Sequence, residues 1–311
     1  MGVRLYETPE VENPVLIASW PGIGNIGIIA VNYLIQVLKA RQFGEIEPWD
    51  FFYPNKVVIR DGILQDIEFP ASKFYSCRAA GKDLILFVGE EQPVPGGGTY
   101  AEGEKAYQIA NHVLDVAVQL GCRRVYTSGA AVAPIHHTSK PRVWAVPNTG
   151  TLIGEIEGYE NTVLMSGIES RGGQGNISGL NGLLLGVARK RGLDAICVMG
   201  EIPFYLRGVP VAYPKASKSV VELLSRVLEI KVDFSVLDRM IDEVDEGIKQ
   251  LEVQFYQQVP PEIAERIRNW VDSFKSHPAA TAPITDEDQQ WIREHIDELF
   301  KWAGEGGEKP Q

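Results

Sequence analysis

The sequence predicts an α/β protein: a three-layer α/β/α domain with a mixed sheet, extended at its C-terminal side by helices. Three observations carry this. Short apolar runs alternate with helix-period stretches through about residue 228. Two early segments alternate about tight turns, as antiparallel hairpins do. Beyond residue 230 strand signals stop and helical periodicity takes over, so the expected division is a core domain over 1–230 and a helical extension over 231–311.

The elements follow in order. "PVLIASW" (14–20) is a short apolar strand, and "IIAVNYLIQVLKA" (28–40) repeats its apolar positions at helical spacing. "RQFGEIEPWDFFYPN" (41–55) reads as a short polar stretch broken by Pro48. "KVVIRDGILQDIEFP" (56–70) alternates around Asp61-Gly62, and "KFYSCRAAGKDLILFVG" (73–89) around a Gly81-Lys82-Asp83 turn. A helix from Tyr100 to Leu120 ends at Gly121, where a helix C-terminus favours glycine. "RRVYTSGAA" and "VWAVPN" read as strands and "TLIGEIEGY" as a short helix. A glycine loop, "SRGGQGNISG" (170–179), leads into the helix "LNGLLLGVARKRG" and the strand "DAICVMGEI". In the extension, Phe234, Leu237, Ile241, Val244, Ile248, Leu251 and Phe255 form an apolar seam of heptad type, which can pack on the chain's own sheet or on another chain. Gly247 within it points to a close approach or a bend. Pro260 and Pro261 break that helix, "EIAERIRNWVDSF" makes another, and Thr285 reads as the N-cap of a last one.

Composition excludes several functions. The 41 acidic side chains against 30 Lys and Arg leave a net charge of −11, which repels nucleic acid and anionic lipid in the absence of a basic patch. The start "MGVRLYETPE" is unlike a secretion signal, and no apolar run reaches the roughly 20 residues that span a bilayer, so a cytoplasmic protein is expected. Cys77, Cys122 and Cys197 are widely spaced and read as small buried residues in a reducing compartment.

The stretch "SWPGIGNIG" (19–27) spells a dinucleotide fingerprint through Gly22, Gly24 and Gly27. The fingerprint requires a second parallel strand ending in an acid that holds the ribose. Glu45 and Glu47 instead lie in a polar stretch followed by hairpins, so the loop reads first as a turn packing helix onto strand, then as the lip of a pocket or contact that includes Asn25. Glu90 and Glu91 follow a strand, Glu201 occupies the equivalent place later, and acids at strand ends could share one crevice as acid and base. His136 and His137 are adjacent, which suits a general base or a loop hydrogen bond better than a shared metal; no metal site is expected. Arg171 beside glycines could help wrap an anion, and Ser128 lacks the elbow of a serine nucleophile.

"LIASWPGIGNIGIIAVNYLI", "LILFVGEEQP", "PIHHTSKPRVWAV" and "ISGLNGLLLGVARKRGLDAICVMGEIPFY", in that order over residues 10–230, resemble the proteasome assembly chaperone 2 family of archaea and bacteria. The resemblance implies a fold similar to nucleoside phosphorylases and related hydrolases, homo-oligomers such as trimers, and a role in proteasome assembly. Relatives also carry the label of ATP-dependent carboligases of the ATP-grasp superfamily, yet no phosphate loop or paired metal-binding acids support ATP here, so no cofactor is expected. Family members that dock on proteasome rings often end in hydrophobic-Tyr-any; this chain ends "GEKPQ" and departs from that pattern. The expected function is a homo-oligomeric assembly or binding factor with proteasome subunits or another protein as partner. The alternative is a phosphorylase, hydrolase or ATP-dependent ligase acting on a nucleoside-like or carboxylate molecule.

Overall fold

The computed structural model describes residues 2–54, 56–93, 103–165, 175–258 and 260–275. Eleven strands are present among them: β1 (Val3–Leu5), β2 (Val15–Ser19), β3 (Arg41–Ile46), β4 (Lys56–Arg60), β5 (Ile63–Glu68), β6 (Ser72–Ala79), β7 (Lys82–Gly89), β8 (Arg124–Ala133), β9 (Val143–Pro147), β10 (Thr162–Leu164) and β11 (Asp194–Pro203). The helices are α1 (Ile26–Val37), α2 (Gly103–Gln119), α3 (Ile153–Ile156), α4 (Gly179–Lys190), α5 (Pro214–Val227), α6 (Ser235–Gln258) and α7 (Pro261–Ser273).

Nine strands form one mixed sheet in the order β1-β3-β6-β7-β2-β8-β11-β9-β10, while β4 and β5 pair only with each other. The centre, β7-β2-β8-β11, is parallel, and the flanking pairs β6/β7 and β9/β11 are antiparallel. Parallel strands need both faces covered, and their sequences are accordingly apolar throughout: every residue of β7 from Asp83 to Gly89 is buried. On one face Phe87, Ile85 and Leu16 pack with Ile109, Val113, Leu184 and Ala188 of α2 and α4. On the other, Ile17, Leu84 and Val198 pack with Leu34 of α1, Val220 and Leu224 of α5, and Leu237 and Ile248 of α6. Helices therefore cover both faces of a large mixed sheet.

The polar reading of 41–55 is corrected by β3. Phe43, Gly44 and Ile46 are buried there, and a register shift between Gln42 and Gly44 breaks the alternation that marks a strand in sequence. A side chain at Gly44 would overlap Leu5, so glycine lets β1 lie close. The β6/β7 turn sits one position earlier than expected: Ala80 and Gly81 take the left-handed conformation, and Lys82 and Asp83 already belong to β7. In the extension, Leu237 and Ile248 of the heptad seam are buried in the sheet-covering core, whereas Leu251 is exposed. Gly247 needs a different account from close approach, since a Cβ there would meet nothing within 4 Å. Thr285 and the chain end lie outside the described residues, and no described helix is long and apolar enough to cross a membrane.

Candidate functional site

Because β7, β2, β8 and β11 run parallel, their C-terminal ends share one edge of the sheet, and most of the residues singled out from sequence fall along it.

The glycine loop leaves β2 there. Gly24 takes φ +63°, and a Cβ on it would lie 2.8 Å from Ile202 and 3.0 Å from Tyr213, whose backbone N–H donates to the Gly24 carbonyl at 2.8 Å. Asn25 is also left-handed, at φ 51°. A Cβ on Gly27 would sit 2.4 Å from the Ser128 carbonyl oxygen, so glycine there lets α1 lie directly on β8. Gly22 alone faces open space. The neighbours of β2 are β7 and β8; β3 lies beyond β7 and β6, so Glu45 is far from the place where a fingerprint acid would hold ribose. Gln92 then ties the loop to α4: its amide donates to the Pro21 carbonyl and accepts from the Leu180 N–H at 2.9 Å. The Trp20 N–H donates to Asn181 at 3.3 Å.

Glu90 and Glu201 do different things at separate places. The Glu90 carboxylate accepts from the Ala71 N–H at 2.8 Å and the Glu90 N–H donates to the Ala71 carbonyl at 2.8 Å, which clamps the connection entering β6. Glu201, fully buried in β11, accepts from the Arg142 N–H at 2.9 Å, from the Arg142 guanidinium at 2.8 and 3.1 Å and from the Trp144 indole at 2.8 Å. Four donors on one carboxylate fasten the start of β9 to β11. With β2 and β8 between their strands, the two acids stand about 14 Å apart by strand spacing.

His136 and His137 are buried beneath the extension, with ring centroids 4.1 Å apart. The His136 Nδ1 lies 2.7 Å from the Thr138 hydroxyl and its Nε2 3.6 Å from Asp272 of α7. The His137 Nδ1 lies 3.0 Å from the Tyr205 hydroxyl and 3.7 Å from Glu252 of α6. Lys215 donates to the His137 carbonyl at 2.7 Å and pairs with Asp245 at 2.8 Å. Burial, then the neighbouring His136, pushes His137 down to about 4, and burial lowers His136 as well. Both imidazoles are neutral at pH 7. Around them Phe204, Trp270 and Phe274 stack edge to face at 4.9–5.4 Å, fixing α7 over the loop.

Arg171 lies outside the described residues. Burial raises the Cys77 and Cys197 thiols to about 11 and Cys122 to about 12, which leaves them protonated. Among the described residues no group of three His, Cys, Asp or Glu side chains is arranged to hold a metal ion.

What the sequence analysis did not single out stands at the same edge. Between β3 and β6 the chain leaves the sheet as the β4/β5 ribbon, whose Val57, Ile59, Leu64 and Ile67 are 43–65% exposed. Trp49 and Tyr53 at its base are exposed too. The signal was in the sequence as alternating aliphatics on both strands, but not the fact that nothing among the described residues covers them.

The architecture is that of a sheet-centred α/β protein whose Glu90, Glu201, His136 and His137 are bonded internally. The chain belongs to the PAC2 family, which matches residues 16–252. It is 28% identical over 249 residues to the uncharacterized protein MJ1210 of Methanocaldococcus jannaschii, covering 80% of this chain and 86% of that one. It resembles the crystal structure of Pyrococcus furiosus PbaB, described as an archaeal proteasome activator, with TM-score 0.66 and 29% identity over 80% of this chain and 98% of that one. It shares the fold of Pyrococcus furiosus PbaA, described as an archaeal homologue of a proteasome-assembly chaperone, with TM-score 0.59 and 22% identity over 89% and 100% of the two chains.

Proposed function

We propose that this protein is a non-enzymatic binding factor that engages proteasome subunits and works as a homo-oligomer in the cytoplasm. The observation that carries the reading is the contrast at the strand-end edge. Glu90, Glu201 and the histidine pair are committed to bonds that hold loops, strands and the extension together, while an aliphatic face stands open beside them. Enzymatic turnover of the phosphorylase or hydrolase kind needs an acid or base free to meet a substrate, and these candidates are not free. The likeness to PbaB over nearly all of that chain supports a proteasome component as the partner class. No cofactor is part of the proposal.

Mixing the purified full chain with assembled proteasome core particles, and separately with unassembled α subunits, tests it by sedimentation velocity. The expected result is a faster-sedimenting complex with at least one of the two at micromolar concentration. Independent sedimentation of every component at that concentration would overturn it.

A further inference from the structure

On the α2/α4 face of the sheet, α4 packs on β8 and β11, and β9 is the next strand outward. Between α4 and β9 runs a cleft of about 610 Å³, with Val146 and Ile153 on one side and Gly182, Leu185, Gly186 and Arg189 on the other. Those α4 positions stand at i, i+3, i+4 and i+7, a single stripe of the helix. Two features of the stripe call for an occupant. A Cβ on Gly186 would meet nothing within 4 Å among the described residues, so the glycine, less stable in a helix than alanine, answers no need of theirs. A second helix laid along the cleft would use it, because small contact residues bring helix axes close. Arg189 and Lys190 end α4 with no ion pair among the described residues, whereas the adjacent Arg191 pairs with Asp115 at 2.7 Å.

An occupant therefore needs an apolar stripe, acidic charge and the length of a helix. Residues 286–303 of the same chain have all three. Ile292, Ile296, Leu299 and Ala303 fall at i, i+4, i+7 and i+11, with Trp291 and Phe300 beside them. Asp286, Glu287, Asp288, Glu294, Asp297 and Glu298 against Arg293 and Lys301 give the segment a net −4.

Reach fits as well. Phe274, near the end of α7, packs on Phe204 at the carboxyl end of β11, where α4 also begins, its Leu180 N–H bonded to Gln92. The cleft extends to Asn148, which accepts from the Ala195 N–H at the other end of β11, about 30 Å away along the strand. The nine residues 276–284 span up to about 30 Å, enough to pass round the sheet edge. A helix over 286–303 then covers about 27 Å, running in the direction of α4. Its later acids arrive where α4 ends in Arg189 and Lys190.

We propose that residues 286–303 dock as a helix in the cleft between α4 and β9, with Ile292, Ile296 and Leu299 against Leu185 and Gly186, and Glu294, Asp297 and Glu298 facing Arg189 and Lys190. An outside partner then gains this cleft only by displacing the segment.

Amide hydrogen exchange on the full chain tests the docking. Peptides covering 286–303 are expected to exchange about tenfold or more slowly than an unstructured chain. Two variants should abolish that protection and leave exchange in β7 unchanged. Gly186→Leu fills the cleft from a position that faces open space, and Arg189→Glu/Lys190→Glu turns attraction into repulsion. Adding Asp297→Lys/Glu298→Lys to the charge variant should restore protection. Exchange of 286–303 at the unstructured rate in the wild type overturns the proposal, and so does protection that both variants leave intact. Oxidation of Gly186→Cys/Ile296→Cys is expected to link the two positions within one chain. A link between chains overturns docking by the chain's own segment and gives the cleft to a second copy.

Discussion

Two regions at one edge of the sheet, the buried strand ends and the β4/β5 ribbon, handle their chemistry in opposite ways. At the strand ends polar groups are plentiful and spent: Glu201 takes four donors, Gln92 bridges two segments, and two histidines lie under a helical cover. On the ribbon the charged groups sit on one face and the aliphatics of the other have no covering partner among the described residues. Acidic and imidazole side chains at the carboxyl ends of parallel strands are the usual mark of a ligand site. Here Glu90, Glu201 and the histidine pair are bonded within the chain, while the described aliphatic side chains of the ribbon are exposed.

The largest test of that contrast is Arg142→Ala. It leaves the Glu201 carboxylate buried without its counter-charge, and losing one partner of a buried pair costs about 3–5 kcal/mol. Urea denaturation is expected to show a midpoint lowered accordingly. Glu201→Gln, which keeps an acceptor for the Trp144 indole and leaves a partly exposed Arg142, should cost clearly less. If Arg142→Ala changed the unfolding free energy by under about 0.5 kcal/mol, Glu201 would not be a fastening and its place at the strand ends would again point to chemistry.

How much of this was legible beforehand differs by element. The β4/β5 hairpin follows from Asp61-Gly62 set in alternating runs, and the β6/β7 hairpin from a turn read at Gly81-Lys82-Asp83 and found one position earlier, because tight turns are coded by neighbours in sequence. The parallel core strands follow from unbroken apolar runs. Strand β3 was hidden by its register break and by its dependence on β1, a partner about 40 residues away that is only three residues long. The role of Glu201 was illegible for the same reason, since its ligands Arg142 and Trp144 lie nearly 60 residues upstream. Alternation showed that the ribbon has two faces, but a local pattern cannot say which face finds a partner.

The histidine pair provides a test of intermediate size. A neutral imidazole held near 4 in the folded protein binds fewer protons than the same group unfolded, at about 6.5, so stability rises with pH across that window. Acidification from pH 6.5 to 5 is expected to cost about 1.5 kcal/mol through His137 alone, before most carboxylates titrate. The loss falls where Asp245, Glu252 and Asp272 of α6 and α7 face the loop, so the extension should loosen first. Comparing urea midpoints at pH 7 and 5 for the wild type and His137→Gln checks it. The variant should lose less stability than the wild type on acidification, and equal losses would place the pH dependence elsewhere.

The smallest expected effect sharpens the comparison most. Ile59 is 65% exposed, so Ile59→Thr keeps a β-branched side chain on a solvent-facing strand and removes little buried surface from the single chain. In protein diluted until it is monomeric, its unfolding free energy should change by no more than about 0.5 kcal/mol, as surface substitutions usually do. If the proposed homo-oligomer uses this face, the same substitution should shift the size distribution toward smaller species at high concentration, and an unchanged distribution would place the contact elsewhere. A residue that matters to the fold would show the reverse: a lower midpoint when dilute and no separate dependence on concentration. The pair of measurements thus separates surface kept for recognition from surface that merely happens to be apolar, which burial within one chain cannot do.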